Sequence, residues 1–273
     1  MNQLSLSGLN RPAEKMHYTL RIASAMCFIG HGVFGIITKS IWCNYFAVFG
    51  IGHDLAYRLM PLVGTIDILL GLSLLFYPLR AVAGWLVCWG LMTASLRPLS
   101  GESAGELIER AGNFGAPLAL LLLSAPATRG FRSWWSKIDA HPRPDARTMN
   151  RVIWCLRIVV FLLLVGHGWL NLIEKKGLLQ QYTALGFSNP AGVARMAGSF
   201  ELLAALAVLI RPARPLLLAF LVWKMATELF YPHWEFVEWV ERGGSYGTIL
   251  ALYLAPGKSP VKTGNTVSSA FAI

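Results

Sequence analysis

The sequence predicts an all-α polytopic membrane protein with eight transmembrane helices, arranged as two parallel, tandem four-helix bundles. Three observations lead there. First, 55% of the 273 residues are hydrophobic and only 14% are charged, against about 25% charged in soluble domains. Second, apolar segments of spanning length recur along the chain. Third, most of the chain is an internal repeat.

The apolar segments lie at 19–39, 61–78, 80–97, 110–126, 152–173, 193–210, 213–230 and 244–256. A spanning helix needs about 20 mostly apolar residues, within a range of about 17–25; the last segment is short by that measure. The N-terminus is polar up to Tyr18, and the run that follows is too long for a signal-peptide core. Residues 19–39 therefore read as an uncleaved first span.

The repeat shows in "LRIASAMCFIGHGVFGIITKS" and "LRIVVFLLLVGHGWLNLIEKK". His31 lies between Gly30 and Gly32, His167 between Gly166 and Gly168, and Lys39 matches Lys175. After a short slip, "GTIDILLGLSLLFYPLR" at 64–80 matches "GSFELLAALAVLIRPAR" at 198–214, which aligns Asp67 with Glu201. Trp89, Thr93 and Pro98 match Trp223, Thr227 and Pro232. After a second slip, "ELIERAGNFGAPLAL" at 106–120 matches "EWVERGGSYGTILAL" at 238–252. Glu106 then pairs with Glu238, and Glu109 with Glu241. An even number of helices per repeat makes the two repeats run in the same direction.

The domain reading follows: an N-terminal tail (1–18), a first repeat (19–126), a linker (127–151), a second repeat (152–256) and a C-terminal tail (257–273). The linker carries Arg129, Arg132, Lys137, Arg143, Arg147 and Arg151 against Asp139 and Asp145. Short loops rich in Lys and Arg face the cytoplasm. Both termini are then expected inside, in a multi-pass protein of the cell inner membrane. The net charge of +10 reports orientation and contact with anionic lipid. No nucleic-acid reading motif is present, so no nucleic-acid partner is expected.

Ionisable groups within a span cost about 2.5–3.5 kcal/mol each on insertion scales and point to sites. His31 lies roughly 12 Å in from Lys39, and Asp67 roughly 9 Å in from Pro61, at about 1.5 Å per residue. Histidine and acid therefore share a depth, in the outer half of the bundle, with Glu109 and Glu241 at the outer start of the fourth helix. The catalytic candidates are His31, Asp67, His167 and Glu201. The ligand-binding candidates are Glu109, Lys224, Glu228, His233, Glu238 and Glu241. The flanking glycines allow a partner helix, a water or a flat ligand to reach each imidazole. The plainer alternative is a buried histidine hydrogen-bonded to its acid as a structural staple.

The second repeat is the more polar. Lys224 replaces Gly90, Glu228 replaces Ala94, and "FYPHWEFVEWVERGGSY" brings His233 and several acids. Lys224 and Glu228 are four apart and can pair on one helix face. The loop reads either as an interfacial aromatic belt or as a binding surface. On this contrast the second repeat is expected to carry the site.

Other chemistries lack support. Cys27, Cys43, Cys88 and Cys155 form no C-x-x-C pair. No histidine pair has zinc spacing, so no metal is expected. One histidine per four-helix unit is weak ground for haem. No phosphate loop, dinucleotide fingerprint or serine elbow is visible.

"LRI…GHG", "GTID" and "GSFE", and "RAGNFG" and "RGGSYG" together resemble the repeat unit of the DoxX/DoxD-like family of four-helix membrane proteins. The resemblance covers most of the chain, twice. It implies a redox role linked to quinone, as in the quinone-reducing subunit of thiosulfate oxidation, or an accessory role. It touches His31, Asp67, His167 and Glu201. The tandem form departs from the single four-helix unit.

Two readings of function remain open. In one, the chain is a membrane subunit of a redox system. It binds quinone in the outer half and draws electrons from a periplasmic or membrane redox partner, since no cofactor site of its own is visible. In the other, it is a non-enzymatic accessory, assembly or transport protein whose acidic outer loops recruit a periplasmic partner.

Overall fold

A computed structural model of the chain describes residues 12–124, 130–229 and 235–256. The first half runs α1 (Pro12–Ile36), α2 (Trp42–Ala47), α3 (His53–Phe76), α4 (Arg80–Leu99), α5 (Ala104–Glu109) and α6 (Ala111–Leu123). A 3-10 turn (Phe131–Trp135) then leads to α7 (Ala146–Leu172), α8 (Lys176–Ala184), α9 (Pro190–Ile210), α10 (Arg214–Glu228), α11 (Glu235–Glu241) and α12 (Gly243–Leu254). The described residues are helical, with one isolated bridge between Leu79 and Lys137.

Helices α1, α3, α7 and α9 are long and apolar enough to cross a membrane. Leu69 and Phe76 on α3, and Leu203 and Ile210 on α9, are more than half exposed. Such faces would be an aggregation hazard in water and are at home in lipid. These are the features of a membrane protein.

Each of the remaining apolar segments holds a helix of 20 residues or fewer. Segment 80–97 is α4, and segment 213–230 is the shorter α10. The fourth helix of each half is broken. Arg110 (φ −89°, ψ 15°) separates α5 from α6, and Arg242 (φ −75°, ψ 3°) separates α11 from α12. Both sit in the bridge region of backbone space, which interrupts the helical ladder. Glu109 and Glu241 lie at these elbows, just before the starts of α6 and α12. Helix α7 starts inside the segment expected to be linker, because Asp145 caps it by accepting the Thr148 amide at 2.7 Å. Hydrogen bonds from Thr148 hold the Asp145 carboxyl below the usual aspartate value.

The arginine of each "LRI" serves the fold. Arg21 donates to the Leu74 and Leu75 carbonyls, and Arg157 to those of Leu209 and Ile210. These are carbonyls at the ends of α3 and α9, which lack partners within their own helices. A cation there also opposes the negative helix end. In the same way Arg80 reaches the Ser124 carbonyl, and Arg214 the Ala255 carbonyl, beyond the ends of α6 and α12.

The fourth helix of each half packs on both halves: α6 also lies against α1 and α4 of its own half, and α12 against α10. Helix α1 packs on α3 of its own half and on α11 and α12 of the other, while α7 packs on α9 and on α5 and α6. Gly112 and Gly244, equivalent positions in the repeat, meet where α6 crosses α12. A side chain on Gly112 would come within 2.6 Å of the Ser245 amide nitrogen, and one on Gly244 within 2.6 Å of the Gly112 carbonyl. Small residues permit such approach in a membrane.

Candidate functional site

The two glycines of each GHG have separate partners. Gly32 faces the backbone of Gly64, and Gly168 that of Gly198, so the second glycine seats the helix on its own half. Gly30 faces the backbone of Glu241, and Gly166 that of Glu109, so the first glycine admits the elbow of the other half. Each histidine therefore pairs with an acid of its own repeat and has the elbow of the other half packed beside it. This packing regroups the acids that the sequence placed within a single repeat.

His31 Nδ1 lies 2.7 Å from Asp67 Oδ2, and His167 Nδ1 lies 2.6 Å from Glu201 Oε2. A carboxylate only accepts, so the Nδ1 hydrogen is donated in both pairs and each ring orientation is fixed. The remaining nitrogen, Nε2, is left for other work.

Around these pairs lies a layer of ion pairs, some of which cross between halves. Lys39 reaches Glu238 at 2.6 Å, and Lys175 reaches Glu106 at 2.5 Å. Arg242 holds Glu109 at 2.9 Å, while Arg110 holds Glu106 at 2.7 Å and Glu109 at 3.3 Å. Arg97 adds contacts to Glu102 and Glu106. Arg110 and Arg242 open the repeated "RAGNFG" and "RGGSYG" and are not among the candidates read from the sequence. A cation repeated inside a span is as informative as the acids beside it.

From here the halves diverge. In the first, His31 packs on Trp42, with ring centres 4.6 Å apart. A cavity of about 120 Å³ opens beside them. Trp42, Phe46, Trp89 and Met92 line it; His31, Tyr45, Arg97, Arg110, Asn113 and Glu241 supply its polar groups. Phe49 and Met92 stand at its exposed edge. Ala94, small and buried, forms part of the wall.

In the second half the corresponding space is filled. Glu228 stands at the place of Ala94 and Lys224 at that of Gly90; both are buried, 3.9 Å apart. Glu228 also lies 3.9 Å from Arg242. Asn171 donates to Glu201 at 3.4 Å, and the Tyr182 hydroxyl donates to Asn171 Oδ1 at 2.8 Å, closing over His167. Leu178 replaces Trp42, and Gln181, at the place of Tyr45, ties α8 to the Thr227 carbonyl. A groove of about 570 Å³ along α9 and α10 is walled by apolar side chains such as Phe200, Phe220 and Trp223. Its one charged group, Glu201, is already bonded to His167.

The candidate residues thus fall into three groups. His31 and Glu241 border the first-half cavity, with Asp67 behind the imidazole. His167, Glu201, Lys224 and Glu228 form a packed interior, and Glu109 and Glu238 belong to the crossing ion pairs. His233 lies outside the described residues. Among the described residues no cluster of His, Cys, Asp and Glu could hold a metal ion. No protein-family model, no curated protein and no solved structure matches the chain.

Proposed function

We propose that the chain is an eight-span inner-membrane protein of the DoxX/DoxD-like type, with both termini cytoplasmic, whose first-half cavity holds the ring of a flat apolar ligand of the quinone class. One observation carries the reading: the cavity joins aromatic walls (Trp42, Trp89, Phe46) to a polar end (His31, Glu241, Arg110). Flat rings stack on aromatic faces, and a few convergent polar groups orient them.

A quinone supplies redox chemistry when bound; the protein supplies the rest. Trp42 and Trp89 exclude water and hold the ring. Asp67 fixes the His31 imidazole, so that Nε2 is presented at a constant angle. The exposed edge at Phe49 and Met92 is the entry. The eight-span reading is supported by the matching order of helices in the two halves and by the crossed packing of α1 on α12 and α7 on α6.

The partner-recruiting alternative is weaker on this geometry. Glu106, Glu109, Glu228, Glu238 and Glu241 are all buried and turn inward, so they display no acidic face.

Lipid extraction of purified protein tests the proposal. Quinone near one equivalent in the wild type, lost in His31→Ala, supports it. No bound quinone, and no saturable uptake of added quinone, would sink it.

A further inference from the structure

A quinone ring and its reduced form differ at their oxygens, one a carbonyl and the other a hydroxyl. The polar end of the cavity bears on that difference. Glu241 is buried at 7% exposure, and its residue lines the cavity. Among the described residues no hydrogen bond or ion pair reaches its carboxylate. Its counterpart Glu109 is held by both Arg110 and Arg242. The other cavity cations are already engaged, Arg97 with Glu102 and Glu106, Arg110 with Glu106 and Glu109.

A carboxylate accepts hydrogen bonds without donating any, and the acceptor positions of Glu241 are unfilled among the described residues. A ligand that completes this site therefore brings a hydrogen to Glu241. A carbonyl oxygen has none, and its lone pairs would face those of the carboxylate. A ring hydroxyl has one. Resting on the reading that the cavity holds a flat ring, we infer that Glu241 makes the site selective for hydroxyl-bearing aromatic rings, hydroquinones and phenols, over the corresponding quinones. Glu241 reaches the first-half cavity only because Gly30 leaves room for its backbone. The specificity residue is thus supplied by the opposite half.

A matched pair of probes isolates this effect: duroquinol and duroquinone share one ring and methyl set and differ at the oxygens. Binding to the full-length protein in detergent is measured anaerobically by equilibrium dialysis. A hydrogen bond to a charged group is worth enough for duroquinol to bind tenfold or more tighter. Glu241→Gln places an amide donor beside the ring and removes the charge, so the preference narrows or reverses. Glu241→Asp keeps the carboxylate and keeps the preference for duroquinol. Equal or tighter binding of duroquinone to the wild type, or an unchanged ratio in Glu241→Gln, overturns the inference while leaving the ring-binding reading intact. Binding of neither probe overturns both.

Discussion

The backbone of Glu241 occupies the space that a side chain on Gly30 would need, and the backbone of Glu109 stands in the same relation to Gly166. These contacts join α1 to the second half and α7 to the first. They give GHG a packing reason that local helix propensity cannot supply.

Replacing either glycine should therefore strain the whole assembly. Gly30→Ala and Gly166→Ala must displace backbone rather than a flexible side chain end, and overpacking of that kind costs about 1–3 kcal/mol. Gly52→Ala, which meets nothing within 4 Å, serves as the neutral control. Thermal unfolding in detergent should show lower midpoints for the first two variants and no change in the third.

Sharing of the fourth helices between the halves also leaves each half with uncovered faces when alone. A protease site inserted at the exposed Arg143 should allow the linker to be cut without separating the pieces. The crossed pairs Lys39–Glu238 and Lys175–Glu106 and the Gly112–Gly244 contact hold them. Cut protein is expected to elute as one species on size exclusion, and the first half expressed alone to be degraded. Clean separation after cutting would contradict the crossed packing.

Glu106 is the most heavily shared acid of the layer, with Arg97, Arg110 and Lys175 around it. Glu106→Gln leaves the buried Arg110 and the half-buried Arg97 and Lys175 short of a partner, and breaking a buried pair from one side costs about 3–5 kcal/mol. The expected result is a large fall in unfolding midpoint. Lys39→Ala, at a pair whose lysine is about one-third exposed, should cost much less.

Orientation is tested with single cysteines in a background lacking Cys27, Cys43, Cys88 and Cys155. Arg143→Cys should resist a membrane-impermeant thiol reagent in intact cells, and Leu99→Cys should react. The basic linker motivates the first expectation, and the placement of the α4 end on the opposite side under the proposed topology motivates the second.

Much of this was legible in the sequence. The equal depth of His31 and Asp67, and of His167 and Glu201, follows from helix rise, and both pairs are hydrogen-bonded. Depth is a one-dimensional quantity that a sequence carries. Which helix lies beside which is not, so Glu241 was grouped with its own repeat although its backbone faces Gly30. The elbows at Arg110 and Arg242 were hidden for a related reason. Apolar length counts residues and does not register a break, whereas the repeated Arg after Glu109 and Glu241 was the available signal.

Under the proposed reading, the contrast between the two histidines favours ligand binding in the first half. Sequence reasoning favoured the second half because it keeps Lys224 and Glu228. In the structure those two side chains occupy the interior at the places of Gly90 and Ala94, and Ala94 lines the open cavity of the first half. Polarity there fills space instead of offering it. His167 is further enclosed by Glu201, Asn171 and Tyr182, a network whose loss leaves buried acceptors unpaired. His31→Ala should therefore weaken ring binding by tenfold or more while the unfolding midpoint changes little, because its ring borders an open cavity. His167→Ala should do the reverse, lowering the midpoint and sparing affinity. Ala94→Glu, which copies the second half, should close the first-half cavity and abolish binding in folded protein. If His167→Ala lost binding at normal stability while Ala94→Glu still bound, the site would belong to the second half after all.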